Sequence, residues 1–196
     1  MKILGKEYFE YIYKNRYLLL SCAVLVLGTV FGTSMLKIMS DEICRNIYIF
    51  ISSDTDNLQN IFMNIFAFPF LTLILIFLSG TSFLGKITVP LMIFINGFVY
   101  GLKNAIFYSN SGTDYITYDI ISFFTSTLFF AFSLIIMSEN SIVMSNRILE
   151  FINKPNTEKP HYNAKKQYVK LATFTVVFVL ISILSAKITL FIRSAL

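Results

Sequence analysis

The feature that most constrains this chain is an uncharged apolar run at residues 17–36, which Arg16 and Lys37 flank. At about 1.5 Å of rise per residue, a helix of this length matches the hydrocarbon core of a bilayer. Hydrophobic residues make up 56% of the chain and charged residues 14%, whereas soluble domains contain about 25% charged residues. We therefore expect an integral membrane protein without a sizeable soluble catalytic domain.

Four further apolar runs follow, separated by polar segments. The first of them contains Pro69, which a membrane helix tolerates when neighbouring helices satisfy the freed carbonyl. A hydrophilic loop is expected at 138–170, and its part at 142–152 has apolar residues at helical spacing, which is typical of a helix on the membrane surface. The sequence predicts an all-α fold, a polytopic bundle in which residues 1–196 form one membrane domain. The five predicted transmembrane helices cover residues 17–36, 61–78, 87–108, 120–137 and 171–192.

The positions of the basic residues predict the orientation of these spans. Eleven of the 16 lysine and arginine residues lie on one side, in the N-terminal segment, the turn at 81–86 and the loop at 138–170. Three lie on the other side, and Lys103 and Lys187 lie within spans. Because cytoplasmic segments are rich in Lys and Arg, we expect the N-terminus and the long loop in the cytoplasm and the C-terminus outside. Topology thus explains the net charge of +5, and nucleic acid is not expected as a partner.

Two of the predicted spans contain glycines four residues apart. These are Gly28 and Gly32 in the first span and Gly97 and Gly101 in the third. Such a pair leaves a flat patch on which another helix can approach closely. The two pairs predict that these spans pack on each other or on partner helices.

Two lysines within spans are costly, since a lysine at the membrane centre costs about 3 kcal/mol on insertion scales. Lys103 and Lys187 both lie near the outer ends of their spans, where a lysine chain can extend its ammonium group to the interface. Asp119 stands at the outer start of the fourth span and can pair with either of them. The three residues are predicted to form an outer charge cluster, with snorkelling of the lysines as the alternative.

Residues that catalyse reactions inside membranes are scarce in this chain. The one histidine, His161, falls in the hydrophilic loop, and Cys22 and Cys44 cannot build a disulfide framework. Carboxylates are absent from the spans, apart from Asp119 and Glu139 at the two ends of the fourth. An intramembrane enzyme is therefore disfavoured, and no catalytic, cofactor-binding or metal-ligating residues are expected.

The segment from Gly80 to Lys86 has the glycine spacing of a phosphate-binding loop. Ile87 follows it, however, where such a loop needs Ser or Thr for magnesium. Predicted membrane spans also flank it, instead of a strand and a helix of a soluble sheet. We interpret its glycines as a tight turn between the second and third spans.

Five segments form a recognisable pattern when they are taken together. These are KNRY at 14–17, the apolar run closing in Gly28 and Gly32, LSG at 78–80, PLMIFINGFVYG at 90–101 and DI at 119–120. The pattern resembles stage II sporulation protein M, a five-span family of endospore-forming bacteria, and the resemblance extends over about residues 14–192. The family usually has a glutamate where Asp119 stands.

The resemblance implies a non-enzymatic scaffold in the mother-cell membrane at the septum. Such a scaffold would form a complex with two peptidoglycan-degrading proteins and localise them, so that the membrane can engulf the forespore. The alternative function is a small permease or accessory subunit of an ATP-driven transporter. That reading requires a cytoplasmic coupling helix, for which residues 142–152 are the one candidate.

Overall fold

The computed structural model describes residues 15–51, 58–110, 113–153 and 164–195. These ranges are helical apart from short connections, and they contain no strand. The six helices found in them are α1 (Arg16–Met35), α2 (Asp41–Ile51), α3 (Leu58–Gly80), α4 (Gly85–Asn110), α5 (Thr113–Asn153) and α6 (Ala164–Ala195).

Four of the helices in the described ranges are long and apolar enough to cross a membrane. The predicted second span falls in α3, whose apolar part Ile65–Gly80 is shorter. The prediction of an all-helical fold with several helices suited to cross a membrane is therefore confirmed for the described residues. The four long apolar stretches are Arg16–Met35, Gly85–Ile106, Ser126–Asn153 and Tyr168–Ile188.

Helix α2 lies in a segment that was predicted to be a polar connection. Asp41 and Glu42 occupy its first turn, where the positive end of the helix dipole stabilises carboxylates. Its apolar residues lie on one face, and the helix packs against α4. The helical spacing of these apolar residues was the signal that could have revealed it.

Helix α5 corrects the predicted boundaries of the fourth span and of the loop after it. The span was expected to end at residue 137, but the helix continues without a break to Asn153. Residues 142–152 are therefore the end of α5 and do not form a separate surface helix. The predicted loop also ends earlier than residue 170, because α6 begins at Ala164. The middle of the predicted loop, 154–163, lies outside the described residues.

The continuation of α5 is explained by a serine face that holds the turn between α3 and α4. Ser141 and Ser145 are buried there. The hydroxyl of Ser145 accepts a hydrogen bond from the backbone N–H of Lys86 at 3.0 Å and donates one to the carbonyl of Phe83 at 3.2 Å. A Cβ on Gly80 would come within 2.7 Å of the Ser141 side chain. The segment that imitates a phosphate-binding loop is thus a tight turn packed on α5.

The core of the bundle is a chain of aromatic rings that joins four helices. Tyr100 of α4 contacts Phe130 of α5, with ring centroids 6.0 Å apart. Phe130 contacts Phe178 of α6 at 5.7 Å, and Phe178 stacks on Phe66 of α3 at 5.6 Å. Tyr100, Phe130 and Phe178 are buried. These contacts hold the four helices α3, α4, α5 and α6 around one interior. Helix α1 joins the bundle through its packing on α4.

Candidate functional site

The glycines of α1 and α4 lie against each other. All four of them are buried, and α1 packs mainly on α4. Local sequence permits this contact, because each pair is four residues apart and therefore lies on one face of its helix. The structure brings Gly28, Gly32, Gly97 and Gly101 together in one interface.

At the first level of this interface, Gly28 faces Gly97. A Cβ added to Gly28 would overlap the carbonyl oxygen of Phe94 and would lie 3.0 Å from the backbone nitrogen of Phe98. A Cβ added to Gly97 would overlap the carbonyl oxygen of Leu25 and would lie 3.2 Å from the Cα of Gly28. The obstructing atoms belong to the backbone, so no rotation of a side chain can make room.

One helical turn further along, Gly32 and Gly101 repeat the arrangement. A Cβ on Gly32 would overlap the carbonyl oxygen of Phe98 and would lie 2.8 Å from the backbone nitrogen of Leu102. A Cβ on Gly101 would overlap the carbonyl oxygen of Thr29 and would lie 2.9 Å from its Cα. The two backbones therefore stay in contact over at least one full turn.

The order of these contacts shows that α1 and α4 are parallel. Gly28 faces Gly97, and the later residue Gly32 faces the later stretch 98–102. Close parallel packing across glycines gains dispersion energy between the helices, which lipid chains cannot replace at the same density. The four predicted glycines thus form one close backbone contact between α1 and α4.

Polar contacts nearer the N-terminus of α1 join it to α5. The hydroxyl groups of Ser21 and Ser138 are hydrogen-bonded at 2.9 Å, and both residues are fully buried. Asn146 donates its side-chain amide to the hydroxyl of Tyr17 at 2.8 Å. Sequence reasoning missed these residues. The spacing of Ser138, Ser141 and Ser145 by three and four residues was the available signal, since it places them on one helix face.

The predicted outer charges occupy different surroundings. Lys103 is half-buried in α4 and has an interaction partner, while Lys187 is exposed on α6. Asp119 belongs to α5, but its side chain lies outside the part that the structure describes. The pairing of Asp119 with either lysine therefore stays a prediction.

The described residues include no group of three or more His, Cys, Asp and Glu side chains that could hold a metal ion. Cys22 and Cys44 are both free thiols, and His161 lies outside the described residues. The described contacts of this site are packing contacts: two backbones touch, a serine face holds a turn, and aromatic rings form the core.

Comparison with known proteins identifies one related family. The family model of stage II sporulation protein M matches residues 18–189. The match begins in α1 and ends in α6, so it contains both glycine pairs and the turn between α3 and α4. No curated protein and no solved structure matches the chain.

Replacing Gly97 by Ile should destabilise the protein by about 3 kcal/mol or more, because the side chain would force two backbones apart. The measurement is the unfolding midpoint of the purified protein in detergent. Ala23→Ile is the matched control, since Ala23 lies on the exposed face of α1. Equal midpoints for Gly97→Ile and Ala23→Ile would show that the glycine contact contributes nothing.

Proposed function

Because the chain belongs to the stage II sporulation protein M family, we propose that it is a non-enzymatic membrane scaffold for engulfment. Family membership makes it a sporulation protein, and its long apolar helices indicate a multi-pass membrane protein. In this proposal the protein sits in the mother-cell membrane at the septum. There it forms a complex with two peptidoglycan-degrading proteins and holds them at their site of action.

The observation that carries the proposal is a family match that spans the whole glycine interface. A scaffold must hold its binding surfaces at a constant distance and angle from one another. The backbone contact between α1 and α4 holds these two helices in one fixed arrangement. The opposite face of α1 remains apolar and exposed, with Val26 58% and Val30 54% accessible. In a membrane this face meets lipid or the helix of a partner.

Five spans with a cytoplasmic N-terminus are the topology that fits the parallel glycine interface. If two helices cross a bilayer in the same direction, the chain between them must cross it once in the opposite direction. Helix α3 is the helix available for that crossing. Its 23 residues correspond to about 35 Å of length, enough to cross the hydrocarbon core. The distribution of basic residues supports the same topology, in which α1 and α4 end at Met35 and Asn110 on the outer side.

Reporter fusions test this topology. Fusions at Asn57, Gly112 and the C-terminus should report an external location, and a fusion at Pro155 a cytoplasmic one. A fusion at Lys86 gives a second cytoplasmic reference point. A cytoplasmic signal from the C-terminal fusion would contradict the five-span arrangement.

The transporter alternative loses its main support in the fold. A coupling helix must lie free on the cytoplasmic surface in order to contact an ATPase, and 142–152 was the segment assigned to that role. It is instead the end of α5, where Ile142 and Ser145 are buried and Ser145 binds the turn at Lys86. This packing favours the scaffold over the transporter subunit.

Co-purification from sporulating host cells tests the scaffold directly. A tagged copy in a strain that lacks the chromosomal gene should retain two wall-degrading proteins, and the eluate should hydrolyse purified peptidoglycan. The chain purified alone from a non-sporulating host should have no such activity. Gly101→Ala should lower the recovery of both partners about tenfold or more, a loss of about 1.4 kcal/mol, because the added Cβ displaces α1 from α4.

The control for this experiment is Ala172→Ile, which adds bulk at an exposed position of α6 and leaves both faces of α1 unchanged. Immunoblots must show equal amounts of each variant in the membrane fraction. Wild-type protein that restores engulfment but retains no wall-degrading activity would contradict the scaffold proposal.

A further inference from the structure

A cavity of about 480 Å³ lies between α2, α3, α4, α5 and α6. Pocket volumes of this order accommodate small molecules or segments of a lipid. Most of its wall is apolar, and Ile47 of α2 borders it at the end of the bundle where α4 ends. The principal apolar residues around it are Ile47, Met63, Pro69, Val99, Phe130 and Phe178.

Two polar residues of α4 stand on one side of this cavity. Tyr100 is 9% exposed, and its buried hydroxyl has no hydrogen-bond partner among the described residues. Lys103 lies three residues further, on the same face of the helix. Along the axis this is about 4.5 Å closer to the membrane surface at which α4 ends. Ser126 and Thr127 of α5 also line the cavity.

An unpaired hydroxyl next to an apolar cavity is costly in a membrane. A buried donor without a partner costs about 1–3 kcal/mol, and the bilayer interior has no water to supply one. The apolar wall would also lose dispersion contacts if the cavity stayed empty. Water can bind beside Tyr100, Lys103, Ser126 and Thr127, but the remaining wall is apolar and offers water no hydrogen-bond partners. Lipid chains are the apolar material present at high concentration around the protein.

We propose that this cavity binds one glycerophospholipid. Such a lipid carries a phosphate, then ester carbonyls, then apolar chains, in the same order in which the site presents Lys103, Tyr100 and the apolar wall. The ammonium group of Lys103 has three donors and can bind the phosphate while it keeps its present partner. The hydroxyl of Tyr100 donates to an ester carbonyl, and one chain occupies the cavity beside Phe130 and Phe178.

This site does not depend on the scaffold role. Lipid binding can be measured on the purified chain, without any wall-degrading partner, so failure of one proposal leaves the other standing. The inference does depend on the position of the cavity within a bilayer, which the long apolar helices indicate.

Native mass spectrometry of the detergent-purified protein tests the proposal with three probes. Dioleoylphosphatidylglycerol has both chains and phosphate, dioleoylglycerol lacks the phosphate, and inorganic phosphate lacks the chains. We expect one phosphatidylglycerol to remain bound per chain, with at least about tenfold weaker retention of dioleoylglycerol and no retention of inorganic phosphate. A tenfold difference corresponds to about 1.4 kcal/mol.

Matched variants identify the site. Lys103→Gln should weaken retention of phosphatidylglycerol about tenfold, whereas Lys187→Gln, on the exposed face of α6, should not. Ala67→Phe adds a ring at the cavity wall and should abolish retention, whereas Ala172→Phe adds the same ring at an exposed position outside it. Tyr100→Phe keeps the ring and should reduce retention several-fold.

Thermal unfolding separates loss of binding from loss of folding. Tyr100→Phe removes a hydroxyl without a described partner, so its midpoint without lipid should equal or exceed that of the wild type. Its rise in midpoint on adding phosphatidylglycerol should be smaller, because a ligand stabilises only the state that binds it. Equal retention by Ala67→Phe and Ala172→Phe, or equal binding of phosphatidylglycerol and dioleoylglycerol, would overturn the proposal.

Discussion

Backbone contact between α1 and α4 is the constraint on which the rest of the structure depends. Within a bilayer, burial of apolar surface does not drive helices together, because lipid chains are as apolar as the side chains. Association must come from close packing and from hydrogen bonds between helices. The glycines allow the two backbones to touch in parallel. The chain between these two helices runs through α2 and α3.

Hydrogen bonds and aromatic contacts hold the remaining helices around this pair. The serine face of α5 binds α1 through Ser21 and Ser138 and the α3–α4 turn through Ser145. On the other side, the ring contacts from Tyr100 to Phe178 join α4 to α5 and α6. The cavity lies beside these rings, where the helices separate enough to leave Tyr100 and Lys103 on its wall. The tight and open parts of the bundle thus lie on different faces of the same stretch of α4, residues 97–103.

Much of this architecture could be predicted from periodicity and spacing, and some of it could not. The apolar runs predicted the helices, and glycines four residues apart indicated where close packing is possible. The sequence could not show that Gly28 faces Gly97, because pairing depends on the whole bundle. The extension of α5 past residue 137 could not be predicted from hydropathy alone. The apolar run ends there, and polar residues such as Ser138, Ser141 and Ser145 are typical of a loop. Helix α2 was missed because its charged first turn hid a short apolar face.

A distance measurement in lipid nanodiscs tests the parallel α1–α4 packing most directly. Nitroxide labels would replace the exposed residue Ser34 together with either Tyr108 or Lys86, after Cys22→Ser and Cys44→Ser. The glycine register places Ser34 near Leu102, so the axial offset is about 9 Å to Tyr108 and about 24 Å to Lys86. Pulsed electron paramagnetic resonance should therefore give a clearly shorter distance for the Ser34–Tyr108 pair. A shorter distance for the Ser34–Lys86 pair would contradict the parallel interface and the topology built on it.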